Sequence, residues 1–244
     1  MVDLTAKPFY LNEQDIAWVK QTIASMTLEE KVGQLFIGMN SGCDEAALKS
    51  VLDRYHLGGV RYNPADARHV RLQNELLQKN SRIPLIVASN VEGGGDGACT
   101  DGTRVGKPTK IGATGNVKYA RQMGYVSGRE AMAVGSTLSF APVVDILQNW
   151  HNSVVATRCF SREAAVVRDN ALAYLQGAHE AGLCCCAKHF PGDGLDDRDQ
   201  HLSNSVNSAD CRQWEETYGM VYKALVDAGV EAIMAGHIMQ PAWT

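Results

Sequence analysis

The sequence has no run approaching the roughly 18 consecutive apolar residues that a membrane-spanning helix needs. Its opening, Met-Val-Asp-Leu-Thr-Ala-Lys-Pro, lacks the apolar core of a secretory leader. Charge of one sign is also scarce. With 23 basic and 27 acidic side chains, the net charge is −4 and the pI about 6.0. That balance gives no electrostatic case for nucleic acid or an anionic membrane as a partner. The seven cysteines (43, 99, 159, 184, 185, 186 and 211) include no Cys-x-x-Cys, and no paired-histidine spacing accompanies them. This argues against a metal site. Their number is odd and three are consecutive, so on a strand they would face alternate ways and make a poor disulfide framework. Core packing in a reducing, cytoplasmic setting is expected instead. No Lys-Ser/Thr pair follows Gly93-Gly94-Gly95, which excludes a P-loop cradle for phosphate. The aspartates at 196, 197 and 199 lack the spacing and closing Glu of a calcium loop.

What is present is ordinary globular composition, 45% hydrophobic and 20% charged, arranged in a regular alternation. Apolar strand-like segments fall at 34–39, 57–62, 84–89, 138–145, 183–190 and 231–238. Helical spacing is read at 11–26, 44–55, 65–78, 117–134, 162–181 and 209–228, with a further short helix opened by the capping-box pattern Thr27-Leu28-Glu29-Glu30. Residues 91–115 are glycine-rich and without period, and a loop of that length is usually functional. Such alternation means a parallel sheet covered by helices. Polar residues collect just after strands: Asn90 and Glu92, Asp145, Lys188 and His189, and His237. A doubly wound sheet concentrates its site at one switch point. Four contributing strand ends favour a (β/α)8 TIM-type barrel. With six strands to count, the expectation is a single barrel domain over 1–244, truncated after about six strands.

The densest chemistry lies between Lys188 and His201. A Lys-His pair ends a buried strand, Pro191-Gly192 breaks it, and the next loop carries four aspartates, Arg198 and His201. In an extended loop, residues two apart point the same way, so Asp199 and His201 can meet. A histidine titrates near neutrality and can serve as acid or base, while a neighbouring Asp fixes its tautomer. Plainer readings stand beside this one. Asp199 and His201 could be a solvated loop. Lys188 and His189 could cap the rim through a structural salt bridge, since a buried Lys is costly unless paired. Arg158 suits Asp145 as well as a ligand. Asp145 suits a structural hydrogen-bond anchor, and Glu92 could hold the glycine loop by accepting backbone N–H groups.

Glu92-Gly93-Gly94, Phe140-Ala141-Pro142-Val143-Val144-Asp145, Arg158-Cys159-Phe160-Ser161, Lys188-His189-Phe190-Pro191-Gly192, Asp199-Gln200-His201 and Ala235-Gly236-His237 follow one another in this order. On these motifs the sequence resembles the N-terminal barrel domain of family 3 glycoside hydrolases, in the β-N-acetylglucosaminidase (β-hexosaminidase) branch. The resemblance implies His201 as general acid/base with Asp199 as its partner. It implies Lys188, His189, Arg158 and Asn90 as sugar-binding residues. Three departures stand out: Asn90 replaces the usual Asp, Asp193 the usual His after Pro-Gly, and residues 95–98 lack an Arg that many relatives carry. The nucleophile it implies is an Asp after a seventh strand, beyond Thr244. The implied activity is that of a retaining, exo-acting enzyme removing terminal β-linked GlcNAc from a small carbohydrate or glycopeptide, with no cofactor. Two alternatives are a GlcNAc phosphorylase on the same scaffold and a non-catalytic sugar-binding barrel that lacks the nucleophile.

Overall fold

The computed structural model describes residues 2–6 and 9–243. They form two compact units, Met1–Asn63 with Leu72–Val87, and Pro64–Arg71 with Ala88–Thr244. The first unit carries α1 (Glu13–Ser25), α2 (Leu28–Gly33), β1 (Ile37–Met39), α3 (Glu45–Tyr55) and β2 (Gly59–Arg61). Each helix starts where its side chains allow. Asn12 accepts from the Asp15 N–H at 2.9 Å, and Asp44 from the Ala47 N–H at 3.1 Å. Thr27 and Glu30 close the expected capping box. Helix α4 (Ala67–Lys79) and strand β3 (Ile86–Ser89) each contribute residues to both units.

The second unit continues with α5 (Pro108–Gly112), α6 (Lys118–Ala133), β4 (Leu138–Ser139), α7 (Ala164–Glu180) and β5 (Cys184–Phe190). After β6 (Ser205–Val206) come α8 (Cys211–Trp214), a π-turn at Glu215–Gly219 and α9 (Met220–Asp227). Strands β7 (Ala232–Ala235) and β8 (Ile238–Met239) follow. The main sheet has the order β1-β2-β3-β4-β5-β7, with β1–β2, β3–β4, β4–β5 and β5–β7 paired in parallel, and β6 pairs with β8 separately, also in parallel. Consecutive parallel neighbours joined by helices are the TIM-type arrangement expected from the sequence, with six strands. No helix among the described residues is long and apolar enough to cross a membrane.

Helices α6 and α7 pack without room for side chains at their crossing. A Cβ at Gly124 would collide with the Tyr174 carbonyl, and one at Gly177 with that of Arg121. Met123, Tyr174 and Leu175 are fully buried around this contact, and each such side chain contributes on the order of 2 kcal/mol. The buried Tyr174 hydroxyl donates to the Val91 carbonyl at 2.6 Å, which also ties α7 to the loop after β3. Two of the three consecutive cysteines are core, as expected, and the third is not. Cys185 and Cys186 are buried and Cys184 is exposed, and Cys186 packs with Ala88 and Leu138 beside Phe140, Ala232 and Met234.

The structure differs from the sequence expectation in three places. The strand expected over 138–145 keeps only two ladder residues. Pro142 has no N–H to give, and the segment instead accepts from β5, Ala141 from the Cys186 N–H at 3.0 Å and Pro142 from the Lys188 N–H at 3.2 Å. Residues 91–115 are not shapeless. They hold a 3-10 turn at Gly95–Gly97, a bridge between Gly94 and Arg104, and α5. The helix expected over 209–228 is interrupted by the π-turn.

Candidate active site

The polar side chains of the second unit meet where β3, β4 and β5 end. Lys188, 4% exposed near the end of β5, places Nζ 2.6 Å from Glu92 Oε1. Arg158 donates to the same carboxylate twice, at 2.8 and 2.7 Å. Burial alone would raise the Glu92 pKa, but the Arg158 hydrogen bonds and the charges of Lys188 and Arg158 outweigh it and hold the carboxyl at about 2. Burial pushes the Lys188 ammonium below its usual range, and Glu92 opposes that shift. Arg158 therefore pairs with Glu92 rather than with Asp145. Likewise Glu92 answers two cations instead of holding glycine N–H groups, because a buried carboxylate gains more from charged donors than from neutral ones.

Asp145 is the anchor the sequence suggested. It is fully buried and accepts His189 Nδ1 at 2.7 Å, the His189 N–H at 3.2 Å and the Asp193 N–H at 2.7 Å. With Nδ1–H given to Asp145, a neutral His189 ring has Nε2 left as an acceptor. Asn90, half-buried after β3, has an Oδ1 with no donor in reach. A buried acceptor left so is satisfied by whatever fills the site.

The loop after β5 presents the second group. His201 Nδ1 lies 2.6 Å from Asp199 Oδ1. Extended geometry does not bring them together. Asp199 opens a turn in which its carboxylate also accepts the His201 N–H at 2.9 Å and its carbonyl accepts from Leu202 and Ser203. This is the local ring that Asp side chains form with the backbone two residues on. That backbone bond, then the ring nitrogen, lowers the Asp199 pKa. The pair is exposed, 66% for the His201 side chain and 34% for Asp199. No group of three or more His, Cys, Asp or Glu side chains among the described residues is arranged to hold a metal ion.

The sequence profile described as the glycosyl hydrolase family 3 N terminal domain matches residues 27–244. The chain belongs to glycoside hydrolase family 3. This family 3 domain is 41% identical over its whole length to a β-N-acetylglucosaminidase/β-glucosidase of Cellulomonas fimi and covers 43% of that protein. Among solved structures, a β-glucoside phosphorylase, BglX, bound to 2FGlc superposes with a TM-score of 0.94 at 37% identity, over 98% of this chain and 43% of that one. A family 3 β-N-acetylglucosaminidase from Paenibacillus sp. str. FPU-7 gives 0.81 at 26% identity, over 89% of this chain and 43% of that one. The chain thus spans less than half the length of these relatives.

Of the site residues read from the family 3 sequence, Lys188 and Arg158 converge on Glu92, while His189 sits on Asp145 and Asp199 contacts His201. Asp193, Asn152 and Gln200 were not foreseen as parts of the site. Asp193 Oδ1 accepts from Asn152 at 2.8 Å and from the Gly194 N–H at 2.7 Å, and Oδ2 accepts from Gln200 at 2.7 Å. The one available signal was Asp193 standing where the family resemblance implies a His. His237 has an exposed side chain, and its backbone N–H joins this network through Gln200.

Proposed function

We propose that this domain carries the sugar-binding floor and the acid/base loop of a retaining, exo-acting β-N-acetylglucosaminidase acting on terminal β-linked GlcNAc. The observation that carries the proposal is the exposed His201–Asp199 pair beyond the end of β5, in a domain where β5 holds buried Lys188 and His189 and the loop after β4 brings in half-buried Arg158. In this reading His201 protonates the departing glycosidic oxygen, then deprotonates the incoming water. Asp199 holds the ring's tautomer and steadies its cationic form. Lys188 has ammonium protons beyond the one directed at Glu92, and His189 has Nε2, for sugar hydroxyls. Asn90, with its unpartnered Oδ1, binds hydroxyls away from the reacting carbon. Retention also requires a carboxylate nucleophile on the opposite face of the sugar. We assign that role to no residue of this chain. The proposed substrate is a small carbohydrate or glycopeptide, met in the cytoplasm.

A second reading is phosphorolysis, favoured by the similarity to a protein named as a β-glucoside phosphorylase. A histidine acid/base becomes neutral rather than anionic when it gives up its proton, so it adds no second negative charge beside an anionic acceptor.

The test uses the full-length protein with 4-nitrophenyl and methyl β-N-acetylglucosaminides. His201→Ala is expected to lower kcat/KM for the methyl glycoside by about 10²- to 10⁴-fold, and far less for the aryl one, whose leaving group needs little protonation. Equal losses on both would sink the acid/base role. Added phosphate that diverts product to a sugar 1-phosphate would replace hydrolysis with the second reading.

A further inference from the structure

Gln200 stands between the two members of the exposed pair yet is itself 6% exposed. A buried amide costs free energy unless both its ends are paired. Here both are. Nε2 donates to Asp193 Oδ2 at 2.7 Å, and Oε1 accepts the His237 N–H at 2.9 Å. Gly236 leaves room for this: a Cβ there would stand 2.7 Å from Gln200 Oε1. Asp193 is 2% exposed, and its own N–H donates to Asp145, the residue that holds His189. One hydrogen-bonded path therefore runs from His189 through Asp145, Asp193 and Gln200 to the backbone after β7.

Resting on the reading of His201 as acid/base, we propose that Gln200 is the positioning residue of that loop, pinned through a hydrogen-bond chain whose polarity is fixed at both ends by the Asp193 carboxylate and the His237 N–H. An ionised carboxylate only accepts and a backbone N–H only donates. Between them a side chain must donate on one side and accept on the other. Because Gln200 is flanked by Asp199 and His201, fixing its buried amide fixes where the exposed pair stands. Asp193 and Gln200 form a matched set, and exchanging their polarity together preserves the chain.

The experiment reverses that polarity in the full-length protein. Gln200→Glu sets two carboxylates face to face. Asp193→Asn, whose oxygen must still serve Asn152 and Gly194, sets two amide donors face to face. In the double variant D193N/Q200E the new amide at 193 donates to the new carboxylate at 200, whose other oxygen accepts from His237. Gln200→Met fills the same volume without hydrogen bonds and guards against failure to fold. Two readouts are taken: kcat/KM for glycosides of poor and good leaving groups, and hydrogen exchange at the Leu202 and Ser203 amides, which close the turn on Asp199.

Each single variant and Gln200→Met are expected to lower kcat/KM for the poor leaving group about 10- to 100-fold, the effect of losing a charge-assisted hydrogen bond. They should change the good one less than about threefold and speed exchange at both amides by a similar 10- to 100-fold. The double variant should recover both readouts to within about threefold of the parent, because paired sites couple. A double variant no better than the worse single overturns the proposal, as do single variants that leave loop exchange unchanged. If the parent cleaves no glycoside, or His201→Ala leaves the leaving-group dependence unaltered, the acid/base reading falls. The exchange readout then still decides for or against the pin.

Discussion

Lys188 and His201 belong to one proposed site but live under opposite conditions. Lys188 is 4% exposed and answers a carboxylate held between two cations, whereas the His201 side chain is 66% exposed and answers one solvated carboxylate. In the first region, charges are far from water, so their pairing is tied to whether the domain folds at all. In the second, pairing directs a ring nitrogen and contributes little to folding. The difference teaches where variation is tolerated. A residue that binds at a buried strand end cannot be changed without cost to the fold, while one that moves protons on a loop can be changed with the fold intact.

The sharpest way to break this contrast is Glu92→Gln. It leaves Lys188 and Arg158 facing each other around a neutral amide, both largely buried. Removing one partner from a buried ion pair typically costs about 3–5 kcal/mol, and the urea midpoint should fall accordingly. Sugar affinity should fall with it, since burial and Arg158 would then both drive the Lys188 proton off. A midpoint unchanged from the parent would mean that the floor is not the charged, buried cluster described.

Acid gives a slightly smaller effect on the same residue. The folded Glu92 pKa, about 2, lies below the ordinary 4.5. A depressed carboxylate contributes stability that is complete above the unfolded value and is lost as pH falls from about 4.5 through about 2. At 1.36 kcal/mol per unit this is about 3 kcal/mol. Urea midpoints measured across that window should drop, and the slope should flatten in Glu92→Gln. Equal slopes in the two proteins would assign the acid sensitivity elsewhere.

Much of this division was legible in the sequence. The six parallel strands lie inside the segments where apolar runs predicted them, because short apolar runs alternating with helical spacing mark such strands plainly. The Lys-His pair and the Asp-x-His motif were equally visible, since rare residue types crowd there. Partner choice was not. Arg158 and Glu92 are 66 positions apart in sequence, and no local spacing distinguishes that pair from Arg158 with Asp145. Gln200 was invisible for another reason: a glutamine in an acidic loop reads as solvated until the fold buries it. The pair β6–β8 is two residues long on each strand, too short for any period to register.

The smallest stability effect is expected at the exposed pair, and it is the one that most sharpens the contrast. Asp199→Asn keeps a side-chain oxygen that can accept the His201 N–H and close the same turn, so the backbone has little reason to move. The carboxylate it replaces is exposed, and exposed ion pairs are screened by water. The urea midpoint should therefore match the parent's within error. Activity should not match. Without the anion the charged ring loses its partner, and kcat/KM for a methyl glycoside should fall about tenfold. That is less than in buried triads because water already shares the charge. A fall in stability as large as that of Glu92→Gln would show that the loop is structural like the floor, and the two regions would no longer be opposites.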